Sequence, residues 1–253
     1  MGLERGQKGS PRRPRWLPAI ATVVGVCLTA SAGNWQLDRA HEKERLQRDY
    51  ERGEADAPIL LTSQPASAED LRLRRVEVTG EFDTKGLVLL DNRMHNGQAG
   101  YEVVMPVRMA NTAMHVLVDR GWIASGPDRS RLPKVRTPAG TVKIVGMATV
   151  PGRFFELSKS EAGGPVWQNL TIDRYMARTG LQVQPVVVQQ QNDVDDGLQR
   201  FRGQPDFGIA KHYGYAVQWF LFCGLMIFLY AYFHVKSIRS KKDQADAPVA
   251  GRD

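Results

Sequence analysis

The sequence predicts a membrane-anchored α+β protein, in which two transmembrane helices bracket one mainly antiparallel β domain, a small barrel or sandwich. Three observations predict it. Residues Trp16 through Leu37 contain no Asp, Glu, Lys or Arg, and neither do His212 through Val235. A bilayer core takes about 20 helical residues to cross, so both runs are long enough. Between them, apolar and polar residues alternate in short stretches separated by turn residues, the pattern of half-buried strands.

Each apolar run carries aromatic residues near its ends (Trp16, Trp35, Tyr213, Tyr215 and Tyr232), where amphipathic rings sit at the headgroup level. Charge orients the spans. Of the net +7, residues 1–15 hold +4 and residues 236–253 hold +2, which leaves the stretch between almost neutral. That distribution excludes a nucleic-acid partner, which needs a basic excess on the folded domain. It is a positive-inside signature, with a lipid bilayer as partner and both tails cytoplasmic. The organisation expected is a cytoplasmic tail 1–15, a first span 16–37, a periplasmic β-rich domain 38–211, a second span 212–235 and a cytoplasmic tail 236–253.

A cleaved secretory signal is the rival reading of the first run, because Arg12, Arg13 and Arg15 precede it and Ala30-Ser31-Ala32 resembles a cleavage site. Against cleavage, Ala21, Gly25, Thr29 and Gly33 recur at four-residue spacing, a small-residue stripe that lets two membrane helices approach closely. A retained anchor is therefore expected. The short stretch ahead of it leaves no room for an amphipathic transit peptide, so a bacterial inner membrane is the expected location.

Cys27 and Cys223 lie one in each apolar run, so the domain has no thiol for a disulfide, a catalytic nucleophile or copper delivery. Met105, Met109 and Met114 fall on two expected strands, where core packing explains them better than thioether ligation.

The domain begins with a charged stretch, Asp38 to Glu54, that continues the first span as a helix and ends at Gly53 and Pro58; Glu44 and Arg48 have the spacing of a helical ion pair. Pro58 to Asp70 is expected to be a loose linker. Strands follow at Val76–Phe82, Gly86–Leu90, Tyr101–Met109, Met114–Ile123, Thr141–Val150 and Val183–Gln190. Turns are expected at Asn96-Gly97, Gly126-Pro127-Asp128, Pro138-Ala139-Gly140 and Ala162-Gly163-Gly164-Pro165. One helix, about Thr171 to Arg178, is closed by Gly180. Val76-Glu77-Val78-Thr79-Gly80 and Val142-Lys143-Ile144-Val145-Gly146 echo one another as two similar strands.

No Ser/His/Asp order, zinc-helix histidine pair or acid–base constellation stands out, so an enzyme is not expected. Asp193, Asp195, Asp196 and Gly197 resemble a calcium loop, but Gln204 stands where a Glu ligand is needed; a solvated acidic turn is expected. His41 and His95 sit among polar residues and are expected at the surface. His115 has the opposite strand parity to Val116 and Val118, which points it outward. Arg120 shares the parity of those valines, so its charge is either held near the core by a carboxylate such as Asp83 or Asp91, or used to bind a ligand.

His212 stands at the mouth of the second run. On a helix, His212, Tyr215, Ala216 and Trp219 share a face. Such a face fits a flat apolar macrocycle with an axial nitrogen ligand, its carboxylates met by Lys211 and Arg39. It equally fits an interfacial aromatic girdle without a ligand, and composition alone favours the girdle.

Gly33-Asn34-Trp35-Gln36-Leu37-Asp38-Arg39 resembles the Gly-x-Trp-Gln-x-x-Arg signature of the Surfeit-locus (Surf/Shy-type) cytochrome c oxidase assembly proteins. Arg75-Val76, Gly80-Glu81-Phe82-Asp83, Asn92-Arg93, Gly100-Tyr101, Pro106, Val116 to Ile123 and Val166-Trp167-Gln168 follow in the family's order. His212 with Tyr215-Ala216, Gln218 and Trp219-Phe220 is similar to the segment leading into its second span. The resemblance covers residues 33 to 220. It implies assembly of the haem-copper oxidase, with haem a as cargo and the oxidase catalytic subunit and the haem a synthesis machinery as partners. It further implies His212 as the iron ligand. The helical face adds Tyr215 and Trp219, with Gln218 beside them, and Trp35, Gln36 and Arg39 at the matching end of the first span complete the expected pocket if the small-residue stripe packs on the second helix. A scaffold that grips assembly intermediates without holding haem would keep the same motifs.

Overall fold

A computed structural model describes residues 16–64, 66–126, 128, 131–151, 164–200 and 205–245, with side chains to 240. The elements in chain order are α1 (Leu17–Ala55), β1 (Ile59–Leu60), α2 (Ala68–Leu71), β2 (Arg75–Phe82), a 3-10 turn (Thr84–Gly86), β3 (Val88–His95), β4 (Gln98–Met109), β5 (His115–Ala124), β6 (Thr141–Thr149), β7 (Val166–Trp167), α3 (Ile172–Thr179), β8 (Val183–Gln190) and α4 (Ile209–Ala245). They divide into two compact units, one made of the chain up to Leu46 and from Asp206, the other Gln47–Pro205.

The first unit is a pair of helices, the N-terminal part of α1 and α4. Each contains a stretch long and apolar enough to cross a membrane. The large side chains of those stretches, such as Val23, Leu28, Leu221 and Phe228, point outward rather than into a core. Cys27 and Cys223 are unpaired thiols.

In the second unit, β2, β6, β8, β5 and β4 are hydrogen-bonded in that order, and β4 returns to β2 through Gly80↔Met109, Glu81↔Arg108 and Phe82↔Val107. The ring is closed, so the domain contains a five-stranded barrel. Closure depends on β2 serving two neighbours at once. Gly80 pairs with Val142 of β6 and with Met109 of β4, and a side chain there would strike the Arg108 carbonyl. The two similar pentapeptides turn out to be partners: Val76 opposes Gly146 and Gly80 opposes Val142. Pairing is mainly antiparallel, with parallel exceptions at β1–β2, β3–β7 and β5–β8.

Val76, Val78, Val107, Val116, Val118, Ile144, Val186 and Val188 fill the barrel. β3 and β7 extend the sheet beyond β4, and α3 covers its outer face against Leu90, Val104, Leu117 and Val187. α3 starts where Thr171 accepts a hydrogen bond from the Arg174 amide and stops at Gly180, whose φ of 69° is left-handed. Its Tyr175 hydroxyl donates to the Gly86 carbonyl at 2.8 Å, pinning the helix to the 3-10 turn; burial raises that phenol's pKa.

Several expectations need correction. Pro58–Asp70 is not simply a linker: Ile59–Leu60 adds a parallel strand to β2, and Ser67 caps the short α2. His115 is buried rather than outward, because β5 is covered on both sides, by the barrel interior and by the outer layer, so strand parity does not decide exposure. Met105 and Met109 are buried in the domain and Met114 packs against its barrel core. The Asn96-Gly97 turn forms as expected, with both residues at positive φ. Pro127, Ala162 and Gly163 of the other expected turns lie outside the described residues.

Candidate functional site

In the helix pair, close approach brings polar side chains together. Gly25 lies against Met226 and Gly33 against the Phe220 ring; a Cβ on these glycines would come within 2.7 Å of Met226 Sδ and 2.8 Å of Phe220 Cζ. Thr29 between them is buried and returns its hydroxyl to the Gly25 carbonyl at 2.8 Å. Gly25, Thr29 and Gly33 of the small-residue stripe therefore form the packing face, as such residues do in membrane helix pairs, while Ala21 is exposed. Farther along, Ala40 of α1 and Ala216 of α4 are buried. On the same helix pair, Gln36 Oε1 lies 2.8 Å from His212 Nδ1. One step on, the Tyr213 hydroxyl donates to Glu44 Oε1 at 2.7 Å, with the His41 ring edge-on to Tyr213.

The Gln36 contact sets the chemistry of His212. An amide oxygen only accepts, so Nδ1 carries the proton and the imidazole lone pair sits on Nε2. Nε2 is thus the nitrogen able to bind a metal or accept a proton. Among the described residues no group of three His, Cys, Asp or Glu side chains is placed to hold a metal ion. His212 suits a metal that brings its own equatorial ligands.

The other residues expected around His212 are less gathered. Trp35 and Tyr215 are each 54% exposed, and Gln218 is exposed. Arg39 is exposed, ion-paired to Glu42 at 2.7 Å, with its guanidinium 5.8 Å from the Trp35 ring centre. Trp219 is half-buried, edge-on to Phe222.

Arg120 belongs to the barrel unit, and none of its side chain is exposed. Nη2 donates to Asp196 Oδ2 at 2.7 Å and to the Arg136 carbonyl at 2.8 Å; Nη1 donates to Thr137 Oγ1 at 3.0 Å. The guanidinium also lies 4.5 Å from the Phe82 ring centre. The geometry matches an ion pair and leaves no surface for a ligand. Its carboxylate is Asp196, not Asp83 or Asp91. Asp196 is shared with Arg200 at 2.9 Å and is 1% exposed, so one carboxylate of the expected solvated turn is a buried anion, while Asp193 and Asp195 are exposed as expected. Burial pulls the Arg120 pKa down, against the support of Asp196. Burial alone would raise Asp196, but hydrogen bonds from Arg200, the Leu198 amide and Arg120 outweigh it and hold that carboxyl below its usual range.

The SURF1 family profile matches residues 23–224. The chain belongs to the SURF1 family. Over 252 residues it is 27% identical to an uncharacterised SURF1-like protein of Mycobacterium tuberculosis, covering 93% of this chain and 90% of that one. It is 28% identical over 151 residues to Surfeit locus protein 1 of Xenopus tropicalis, which is 53% of this chain and 47% of the relative. It is 29% identical over 144 residues to the cytochrome oxidase assembly protein SHY1 of Saccharomyces cerevisiae, 54% of this chain and 37% of the relative.

Many of the residues by which this SURF1 chain resembles its family are packing devices. Trp122 donates its indole N–H to the Arg93 carbonyl at 2.9 Å and fills the space that a side chain at Gly100 would need. Asn92, at φ 60°, forms the bulge where β3 shifts register against β4. Trp167 carries the guanidinium groups of Arg174 and Arg178 against its ring, at 4.7 and 4.9 Å from its centre. Sequence reasoning missed Arg200 as second partner of Asp196, and Asp119 as a buried carboxylate. The pairing of Asp196 spans 76 residues, which no local signal marks.

Proposed function

We propose that this protein is a membrane-anchored assembly factor for cytochrome c oxidase that holds or hands over haem a at His212. The observation that carries the reading is the hydrogen bond between His212 Nδ1 and Gln36 Oε1, which leaves Nε2 as the nitrogen that would hold an iron. Family membership supports the wider role, since one relative is a cytochrome oxidase assembly protein. In this reading the two apolar helices span a bacterial inner membrane, with both tails cytoplasmic and the barrel in the periplasm. The partners are the catalytic subunit of the oxidase and the machinery that makes haem a.

When bound, a haem group would supply its own macrocyclic nitrogens and an iron able to take an imidazole nitrogen, which His212 would provide. The chain itself offers the proton-fixed imidazole of His212, the flat rings of Trp219, Tyr215 and Trp35 on the same helix pair, Gln218, and the Arg39 guanidinium for a propionate. A single axial histidine in an open setting suits a carrier that must release its cargo.

The exposure of Tyr215 and Trp35 favours a second reading, a scaffold that stabilises oxidase intermediates without cofactor, because neither of these rings is buried on the helix pair. The visible spectrum of purified protein separates the two. A co-purifying Soret band that is lost in His212→Ala, with oxidase yield reduced and His41→Ala unaffected, is the expected result. Colourless wild-type protein that still captures oxidase subunits leaves the scaffold. A periplasm-dependent reporter should be active when fused near Pro127 and silent at Asp253; the reverse pattern overturns the topology.

A further inference from the structure

On the outer face of the barrel unit, opposite the side filled by Val116 and Val118, lies a cleft of about 280 Å³. Asp119 of β5 and Glu102 of β4 both line it. Asp119 is 7% exposed; its Oδ1 accepts the Gly121 amide at 3.1 Å, the one hydrogen bond that holds this carboxylate among the described residues. Arg93 Nε lies 3.1 Å from Glu102 Oε2, but its N–H is not aimed at that oxygen and makes no hydrogen bond. The polar groups of the cleft thus comprise two carboxylates, one guanidinium, the Gln189 amide and the Thr149 hydroxyl. With both acids ionised they sum to one negative charge. Its walls are aliphatic, from Leu90, Val104 and Val187. The size is at the small end for ligand sites, suited to a single side-chain-sized group.

We propose that this cleft binds an alkylguanidinium or alkylammonium group, with the cationic head between Asp119 and Glu102 and the alkyl stem on Leu90, Val104 and Val187. A head of this kind donates several N–H groups at once, which matches carboxylate oxygens that receive few donors from the fold. Such a group is the end of a basic side chain or a free small amine, and both carry the same chemistry. The role is independent of haem binding by the helix pair.

The charge of the floor depends on pH. Burial, and then the neighbouring Glu102 charge, push the Asp119 pKa up to about 7, against the Gly121 amide, Arg93 and Arg200; burial also raises Glu102, against Arg93. A cation should therefore bind better above neutrality than below it.

The test uses the full chain in detergent, with saturation-transfer NMR of n-butylguanidinium and of its uncharged analogue N-butylurea. At about pH 8 the guanidinium should bind about tenfold more tightly than the urea, and the preference should largely vanish at about pH 5.5. Asp119→Asn should weaken guanidinium binding about tenfold. Val150→Trp serves if that variant fails to fold: Val150 is 43% exposed at the rim of the cleft, and the indole should block it without touching the carboxylates. A short peptide with a central Arg that binds more tightly than butylguanidinium identifies a protein side chain as the source; a peptide that is shut out identifies a free amine. Equal binding of the two probes, guanidinium binding that survives Val150→Trp, or no guanidinium binding to folded wild-type protein overturns the proposal.

Discussion

Gln36 Oε1 lies 2.8 Å from His212 Nδ1, joining residues 176 positions apart across two apolar helices. This contact turns a lone histidine into an oriented one. A hydrogen-bonded imidazole keeps its tautomer and ring angle and is a more basic ligand through its other nitrogen.

If His212 holds haem a, Gln36→Leu should leave the histidine in place yet lower haem affinity about tenfold, with a shifted Soret maximum. Gln36→Glu should retain or strengthen binding, because a carboxylate accepts the same N–H. Haem content that does not respond to either change detaches Gln36 from the site.

The helix pair depends on Gly33. Gly33→Leu should force α1 away from Phe220, since even a Cβ would sit 2.8 Å from that ring. With Cys27 and Cys223 replaced by Ser, cysteines at positions 36 and 212 should cross-link efficiently through a short bifunctional reagent, and poorly once Gly33→Leu is added. Undiminished cross-linking would show that the packing tolerates bulk.

Asp196 neutralises two buried guanidinium groups, Arg120 and Arg200. Asp196→Asn should cost the barrel about 3 kcal/mol, measured by denaturant unfolding, because both cations lose their anion. Arg120→Lys should not be conservative, since an ammonium cannot serve Asp196, Thr137 and the Arg136 carbonyl in one plane. The folded carboxyl has a lowered pKa. Its stabilisation is present above about pH 4 and lost as pH falls through the lowered value.

Asp119 behaves in the opposite sense. With its folded pKa raised to about 7, protonation favours the fold fully below about pH 4, and that contribution disappears as pH rises through 7. Asp119→Asn should match wild type near pH 4 and exceed its stability near pH 8 by on the order of 3 kcal/mol. Thermal melts across that range should show the two curves separating with rising pH. Parallel curves would mean that the carboxylate is not desolvated.

The elements of this fold were legible in the sequence where local chemistry decides them. Uncharged length marked the two apolar helices, period-two alternation marked β2, β4, β5, β6 and β8, and Thr171 with Gly180 marked both ends of α3. The stripe Gly25–Thr29–Gly33 announced a packing face because a missing side chain is visible in the sequence itself. His115 shows the limit: parity says which face of a strand a residue takes, but not whether that face is covered.

Barrel closure, the carboxylate beside Arg120 and the cleft beneath Asp119 were decided by the tertiary structure. Closure needs β2 to pair with β6 along one edge and, from Gly80 to Phe82, with β4 along the other, and pairing specificity resides in the register of distant strands, not in either strand alone. Parity put Arg120 on the face of Val116 and Val118 and left an ion pair and a ligand both open; the fold buries the guanidinium completely, and a buried charge requires a partner. Which anion it receives depends on where the chain after β8 passes, and the fold brings Asp196 there from 76 residues away. Composition and periodicity set what each segment needs to bury or pair; the path of the chain in three dimensions sets what it finds.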